Sequence, residues 1–307
     1  MKIAIIGAGA MGCLYASLLA AHSEVTLYDA APAVVDAINR TGVTCREPDG
    51  TEANVRIPAQ LTGSGTAPYD LVILFVKDLY SRAALEANRA LIGPGTLLLS
   101  LQNGMGNEEI MRDFAAPAQI LLGTTKHNCV TLAPGQIYHS GSGITYIGSP
   151  VGNSAAAETV VGLFVACGFE AEECTGVRHL LWEKLFLNMS VNPVTALLGA
   201  HIGTVSEDPD LRELAHAMID EAVRVAAADG EVFDADTVFA RLIESTRQLS
   251  TGTASMCQDI QQKRRTEIDF INGAVVRIGA QYGIPTPYNS TIVHLMHAKE
   301  RLVRKQD

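Results

Sequence analysis

Short apolar runs alternate with helical stretches along the first half of the chain. Five of these runs are predicted to be strands, at residues 2–6, 25–28, 71–76, 96–101 and 120–123. They lack a regular alternation of apolar and polar residues, which is typical of strands buried on both faces. Because such strands occur in parallel sheets covered by helices, the pattern predicts an α/β domain with a doubly wound parallel sheet.

Two further runs flank a short segment of serine and glycine. Residues 136–139 and 144–147 lie on either side of Ser-Gly-Ser-Gly at residues 140–143. A turn-forming segment between two strand-like runs predicts a β-hairpin. We therefore expect the sheet to end in an antiparallel addition.

The pattern changes near Cys174, and from there onward the apolar residues follow helical spacing. Asp208 followed by Pro209 is typical of a helix N-cap and first-turn proline. Three more helical stretches are predicted, at residues 234–249, 258–282 and 288–303. The chain is therefore expected to divide into residues 1–174 and an all-helical domain of residues 175–307.

The composition limits the class of protein. The 307 residues are 48% hydrophobic and 18% charged, an ordinary globular mixture. Lys and Arg total 23 against 33 Asp and Glu, which gives a net charge of −10. A nucleic-acid-binding protein normally shows the opposite sign, so we expect no nucleic-acid partner.

Cysteine spacing and the N-terminal run bear on location and on metal binding. The six cysteines include no C-x-x-C pair, and no histidines cluster at zinc-finger spacing. They are therefore interpreted as buried or free thiols in a reducing compartment, and no metal site is expected.

Residues 3–20 carry no charge, but glycines interrupt the run, so a strand–turn–helix explains it better than a signal peptide or a membrane span. The sequence predicts a cytoplasmic protein without a membrane segment.

Residues 7–12 read Gly-Ala-Gly-Ala-Met-Gly and stand between the first strand and an apolar helical run. Gly7 permits a tight turn, Gly9 lets the backbone approach a pyrophosphate, and Gly12 allows close helix–strand packing. The N–H groups at the helix start, at Ala10 and Met11, then face the phosphates. This motif predicts an N-terminal Rossmann-type doubly wound sheet that binds a dinucleotide, with the active site between it and the helical domain. A purely structural glycine turn is the alternative.

Three polar residues at strand ends are candidate cofactor or substrate contacts. Asp29 ends the second strand, where a carboxylate accepts hydrogen bonds from ribose hydroxyls and repels a 2′-phosphate, which favours NADH. The alternative is that Asp29 caps the next helix. Lys77 and Asn103 follow the next two strands and are candidates for cofactor phosphate or ribose and for nicotinamide or substrate, respectively. Their alternatives are a solvated loop lysine and an ordinary turn residue.

A polar row marks one predicted helix of the second half. Lys184, Asn188 and Asn192 are four residues apart, which places them on one helix face among apolar neighbours. Buried polar groups need partners, so this row is expected to face a polar cleft. An amphipathic helix with a narrow solvated face is the alternative. The stretch that carries Ser255 and Glu267 has, taken alone, the pattern of a solvated charged helix.

Several segments follow one another at a recognisable spacing. In chain order they are KIAIIGAGAMG from Lys2, FVK from Phe75, QNGMG from Gln102, Lys184…Asn188…Asn192-Pro193, SMCQDI from Ser255, RTEIDFING from Arg265 and GIPTPYN from Gly283. Together they resemble the ketopantoate reductase (2-dehydropantoate 2-reductase) family over nearly the whole chain.

The resemblance implies a reaction and roles for individual residues. A reduced nicotinamide cofactor, NAD(P)H, delivers hydride to the ketone carbon of a small 2-oxo acid, 2-dehydropantoate, in pantothenate and coenzyme A synthesis. Lys184 is implied to be the general acid, and Glu267 to hydrogen-bond the substrate or orient the lysine, close to the cofactor. Asn103 is implied to lie near the nicotinamide and the substrate. The implied substrate-binding residues are Asn188, Asn192 and Ser255.

The chain departs from the family pattern at three points. Gly252 and Ile202 stand where members of the family often carry asparagine, and Asp29 favours NADH although the resemblance favours NADPH. These departures keep two alternatives open. One is a reductase of a different branched 2-oxo acid or of an imine formed from one. The other is a non-catalytic NAD-binding regulator, and a homodimer is compatible with any of these functions.

Overall fold

The computed structural model describes residues 1–305, which form two compact units. The first unit contains Met1–Gln102 and Asn107–Val177, and the second contains Asn103–Gly106 and the chain from Arg178 onward. The short segment Asn103–Gly106 therefore belongs to the helical unit, although the residues before and after it belong to the first. Within the described residues, no helix has the length and apolar character needed to cross a membrane.

The first unit is built on an eight-stranded sheet. In spatial order its strands are β12 (Ala171–Glu173), β11 (Thr145–Gly148), β8 (Ile120–Thr125), β7 (Leu97–Ser100), β6 (Leu71–Leu74), β1 (Lys2–Ile6), β2 (Glu24–Asp29) and β5 (Ala59–Leu61). Neighbouring strands are parallel except for β11, which runs antiparallel to β8. Every residue of β6 and all but the first of β1 are buried, so both faces of the sheet are covered. The predicted Rossmann-type sheet and its antiparallel addition are confirmed.

Five α-helices accompany this sheet. They are α1 (Ala10–Leu19), α2 (Pro32–Thr41), α3 (Ser81–Ala87), α4 (Asn107–Met111) and α5 (Ser154–Ala166). The core joins strand residues such as Ile3 and Ile5 to Leu14 and Tyr15 of α1 and to Phe164 of α5, all of them buried. Helix α1 is thereby fixed directly after β1, where the glycine motif lies.

A second, four-stranded sheet lies in the same unit and corrects the hairpin prediction. Its order is β4 (Glu52–Val55), β3 (Val43–Arg46), β10 (Gln136–Gly141) and β9 (Asn128–Ala133). Strand β10 forms a hairpin with β9, joined by a short turn in which Gly135 has φ +73°. The predicted hairpin between residues 136–139 and 144–147 is wrong. The second of these runs becomes β11, because the N–H of Lys126 donates to the carbonyl of Ile144 at 3.0 Å and brings that strand beside β8.

The second unit is helical throughout its described residues. Its helices are α6 (Val177–Leu198), α7 (Thr204–Glu207), α8 (Pro209–Ala228), α9 (Ala235–Gln248), α10 (Ser255–Gln261), α11 (Asn272–Gln281) and α12 (Pro287–Arg304). Asp208 caps α8 as predicted, since its carboxylate accepts the N–H groups of Asp210 and Leu211 at 3.0 Å.

The single helix predicted over residues 258–282 is wrong, because it is divided into α10 and α11. Between them, Lys263 adopts a left-handed conformation with φ +54°. The guanidinium of Arg264 turns back to the Asp259 carboxylate, with contacts of 3.0 and 2.8 Å. Residues 262–271 therefore form a loop, and this loop carries Glu267.

Candidate active site

The glycine motif forms a tight turn between β1 and α1. Gly7 has φ +106°, and a Cβ atom there would lie 2.7 Å from the backbone of Phe75 and Val76. A Cβ on Gly12 would collide with the carbonyl oxygen of Gly7. Gly9 is different, because a Cβ there would meet no atom within 4 Å. Packing within the protein therefore explains the first and third glycines and leaves the second exposed.

Gly9, the exposed glycine, is also the N-cap residue of α1, and it has no side chain that could cap the helix. The N–H groups at the start of this helix, at Ala10 and Met11, are among those that helical hydrogen bonds cannot satisfy. An exposed backbone at the positive end of a helix dipole suits a phosphate group. The turn therefore fits the pyrophosphate of a dinucleotide.

Asp29 anchors this turn. Its two carboxylate oxygens accept the N–H groups of Ala8 and Ala31, each at 2.9 Å. The thiol of Cys13 donates to the carbonyl of Ala8 at 3.3 Å, and burial together with the Asp29 charge raises the pKa of Cys13 to about 12. Ala31 is the N-cap residue of α2, which makes no side-chain capping bond. Asp29 thus ties both the glycine turn and the N-cap residue of α2 to the end of β2.

Gln102, which the sequence did not single out as a site residue, fixes the end of β6. Its buried amide donates to the carbonyl of Val76 at 2.6 Å and to the hydroxyl of Ser81 at 2.9 Å. Ser100 donates to the same amide at 2.8 Å. Lys77 directly follows Val76, so this network holds the backbone that carries the lysine. The sequence signal for the role of Gln102 is a polar residue that directly follows a predicted buried strand.

Lys184, Asn188 and Asn192 occupy successive turns of α6. The lysine and the first asparagine are half-buried, and Asn192 is buried. Neighbouring residues such as Leu185 and Met189 belong to the helical core. The row is therefore a polar strip next to the residues of α6 that pack in the helical core.

Pro193 lies inside α6 and cannot donate the hydrogen bond that the Met189 carbonyl would otherwise accept. The amide of Asn272 supplies the missing donor at 3.0 Å. Asn272 in turn donates to Asn289, also at 3.0 Å, and Asn289 donates to the carboxylate of Glu221 at 2.9 Å. This buried network joins α6 to α8, α11 and α12 directly beside the polar row. The sequence signal for it is a proline inside a helix that carries candidate site residues.

The segment that holds Asn103 packs on the loop that holds Glu267. The N–H of Met105 donates to the carbonyl of Phe270 at 2.8 Å, and the N–H of Phe270 donates to the carbonyl of Glu267 at 3.0 Å. Gly104 has φ +84°, and a Cβ there would lie 2.8 Å from the carbonyl carbon of Phe270. Asn103 and Glu267 are therefore brought into one local structure, although they are far apart in sequence.

Two side chains of α12 hold the Glu267 loop. The buried carboxylate of Glu300 accepts the N–H of Thr266 at 2.8 Å and its hydroxyl at 2.6 Å. The imidazole of His297 contacts the carboxylate of Asp269 at 2.8 Å. Glu267 itself is half-buried. The residues on either side of Glu267 are thus anchored, which fixes the backbone position of Glu267.

Ser255 is the first residue of α10 and is exposed. It therefore lies on a different helix from the row of Lys184, Asn188 and Asn192.

Comparison with known proteins identifies the family. The chain matches the family model described as ketopantoate reductase PanE/ApbA over residues 3–152, and its C-terminal counterpart over residues 176–300. A 2-dehydropantoate 2-reductase from Pyrococcus abyssi is 32% identical over 309 residues, which covers 100% of both chains. A reductase of the same name from Streptococcus pyogenes is 31% identical and also covers 100% of both.

Solved structures agree in fold over the whole length. A ternary structure of D-mandelate dehydrogenase with NADH and anilino(oxo)acetate superposes with a TM-score of 0.93 at 30% identity, covering 99% of both chains. A PanE/ApbA family ketopantoate reductase from Ralstonia eutropha superposes with a TM-score of 0.89 at 29% identity, covering 99% of this chain and 100% of that one. The chain described here belongs to the ketopantoate reductase PanE/ApbA family, whose members are NAD(P)-dependent oxidoreductases.

Proposed function

We propose that the protein reduces 2-dehydropantoate to pantoate with a reduced nicotinamide cofactor. The observation that carries this proposal is the row of Lys184, Asn188 and Asn192 on one face of a core helix. A cation and two amides on successive turns suit an anionic substrate whose carbonyl oxygen gains negative charge during reduction. Family membership and the 2-dehydropantoate 2-reductases named above support the same reaction.

The chemistry divides between cofactor and protein. When bound, the reduced cofactor supplies a hydride to the ketone carbon. Lys184 donates a proton to the carbonyl oxygen, so that the C=O group becomes a CH–OH group. Glu267 orients the substrate or the lysine, and its anchored loop limits the positions it can take.

The remaining polar residues hold the substrate in this proposal. Asn188, Asn192 and Ser255 donate hydrogen bonds to its carboxylate and hydroxyl groups. Asn103 contacts the substrate and lies beside the nicotinamide. The packing of the Asn103 segment on the Glu267 loop supports a position for Glu267 near the substrate and the nicotinamide. Binding and proton donation thus come from residues 175–307 together with Asn103.

Residues 1–174 bind the cofactor in this proposal, and NADH is the preferred form. The backbone at Gly7, Gly9, Ala10, Met11 and Gly12 receives the pyrophosphate, and Lys77 contributes a positive charge. Each oxygen of Asp29 accepts one backbone N–H, which leaves lone pairs for the ribose hydroxyls. A carboxylate at this position repels the 2′-phosphate of NADPH. The enzyme would then act in the cytoplasm, in pantothenate and coenzyme A synthesis.

A second candidate substrate is a 2-oxo acid with a larger apolar side chain. Ile202 and Gly252, the two departures from the family pattern, are neighbours, since the Ile202 N–H donates to the Gly252 carbonyl at 2.9 Å. A Cβ on Gly252 would lie 3.1 Å from the Ile202 side chain. Where members of the family often carry two asparagines, this chain has an isoleucine side chain and a glycine, which would favour an apolar substituent over a hydroxyl group. The D-mandelate dehydrogenase neighbour, solved with anilino(oxo)acetate, supports this candidate.

Steady-state kinetics test the proposal. Cofactor absorbance is followed with NADH and NADPH, each with 2-dehydropantoate and with benzoylformate, the 2-oxo acid of mandelate. We expect the highest kcat/KM with NADH and 2-dehydropantoate. A higher kcat/KM for benzoylformate would establish the second candidate, and turnover of neither acid with either cofactor would contradict both.

A further inference from the structure

Three side chains with metal-ligating atoms meet in the four-stranded sheet, outside the residues assigned to cofactor and substrate. They are Cys45 on β3, Glu47 just after it, and His139 on β10. The ligand atoms of all three lie within 4.8 Å of one another. Nδ1 of His139 is 3.0 and 3.1 Å from the two Glu47 carboxylate oxygens, and the Cys45 sulfur is 3.6 Å from one of them.

Strand pairing explains why these residues converge. Strand β10 runs parallel to β3, with Ile137 paired to Cys45. Because side chains alternate along a strand, Ile137 and His139 point to the same face of β10, and both are buried. Cys45 and His139 are only 7% and 5% exposed, whereas the side chain of Glu47 is 41% exposed. The cluster is therefore a buried thiol and imidazole beneath a carboxylate that is open to solvent.

The hydrogen bonds of the cluster follow one consistent pattern. The Cys45 thiol donates to the Glu47 carboxylate, with the sulfur 3.6 Å from the nearer carboxylate oxygen. Nδ1 of His139 lies beside the same carboxylate and is placed to donate to it. Two protons thus point at one carboxylate. A divalent metal ion that replaced these two protons would be bound by the Cys45 sulfur, Nδ1 of His139 and a Glu47 carboxylate oxygen.

His127 completes the surroundings of this cluster. Its Nδ1 lies 3.0 Å from Nε2 of His139, and its own Nε2 is buried and has no hydrogen-bond partner. The rings of Tyr15 and Phe169 lie nearly perpendicular to the His127 ring, with centroids 6.1 and 5.7 Å away. A metal-bound histidine normally donates a hydrogen bond from its second ring N–H to an acceptor, which fixes the orientation of the ring. His127 is in place to be that acceptor for His139.

We propose that Cys45, Glu47 and His139 bind a divalent transition metal, with Zn²⁺ as the best fit. Sulfur and imidazole ligands suit Zn²⁺ and disfavour Mg²⁺ and Ca²⁺, which select oxygen ligands. A thiolate and a carboxylate together neutralise the charge of the dication. The open side at Glu47 leaves a fourth, tetrahedral position for water. The sequence did not predict this site, because its ligands are 92 positions apart between Glu47 and His139.

Metal titration of the full-length, untagged protein tests the site. Protein stripped with a chelator is titrated with Zn²⁺ against a chromophoric competitor, and with Co²⁺ as a spectroscopic probe. We expect one equivalent of metal and a near-ultraviolet thiolate-to-cobalt absorption. Cys45→Ser and His139→Asn should each weaken Zn²⁺ binding by more than about a hundredfold, and Cys45→Ser should abolish the thiolate band.

Matched variants separate the site from general damage. Cys257→Ser removes a buried thiol from the helical unit and should leave the affinity and the cobalt spectrum unchanged. His127→Phe should retain one equivalent of metal but weaken binding by about 10- to 100-fold, the usual effect of losing an outer hydrogen-bond partner. Circular dichroism verifies that each variant is folded. Absence of stoichiometric binding in the wild type, or an unchanged cobalt spectrum in folded Cys45→Ser, would overturn the proposal.

Discussion

The glycine turn of the first unit and the Glu267 loop of the second are positioned in different ways. The turn is made of consecutive residues, and nearby backbone atoms leave no room for a Cβ atom at Gly7 or at Gly12. The loop is held by side chains that arrive from elsewhere, Glu300 and His297 from α12, and by the segment of Asn103. Backbone contacts tolerate no added atom, whereas side-chain contacts can be removed one at a time. The two regions should therefore respond differently to substitution.

The largest effect is expected at Gly12. Gly12→Ala places a Cβ against the Gly7 carbonyl, so the free energy of unfolding should fall by about 3 kcal/mol or more. Gly9→Ala adds the same methyl group where no protein atom lies within 4 Å, so stability should be kept while NADH affinity falls. Thermal unfolding and NADH titration of both variants measure this contrast. Equal losses of stability would show that the two glycines do not differ in the way described.

The next effect concerns the side-chain support of the Glu267 loop. Glu300→Ala leaves the buried N–H of Thr266 without its acceptor, which should lower stability by about 1–3 kcal/mol. It should also lower kcat by about tenfold and change the Kd for NADH much less, because the glycine turn and Asp29 lie outside the affected loop. Glu300→Gln keeps an acceptor oxygen and should recover most of the activity. An Ala variant with wild-type kcat would remove Glu300 from the account of the site.

The smallest effect is expected in cofactor selectivity. Asp29→Ala removes a carboxylate that anchors the turn and is placed to receive ribose hydroxyls, so NADH should bind about tenfold more weakly. NADPH should lose less, since the repulsion of its phosphate is also removed. Asp36→Ala, an exposed acid on the neighbouring helix α2, is the matched control. A NADH-to-NADPH affinity ratio unchanged by Asp29→Ala would exclude Asp29 as the selectivity residue.

The sequence predicted best what local patterns determine. The five buried strands, the glycine turn and the cap at Asp208 depend on neighbouring residues, and each is present. The polar row of α6 was visible because Lys184, Asn188 and Asn192 follow one helical period. Their catalytic and binding roles came from resemblance to a family, and they stay predictions.

Long-range contacts account for what the sequence did not predict. Residues 136–141 have the pattern of a strand, but only tertiary structure decides that this strand pairs with β9 and β3 and not with β11. Residues 262–271 have a helical charge pattern, yet the Arg264–Asp259 contact and the bonds of Thr266 to Glu300 stabilise a loop. The support given by Gln102 was hidden for the same reason, since its partners lie in other segments.

The most direct test of the proposed function is the kcat of Lys184→Ala with 2-dehydropantoate and NADH. Lys305→Ala, an exposed lysine at the end of α12, serves as the matched control. Loss of the proton donor should lower kcat by about a hundredfold or more, with the Kd for NADH unchanged and the control at wild-type activity. A Lys184→Ala enzyme with wild-type kcat would contradict the assignment of the α6 row as the catalytic centre.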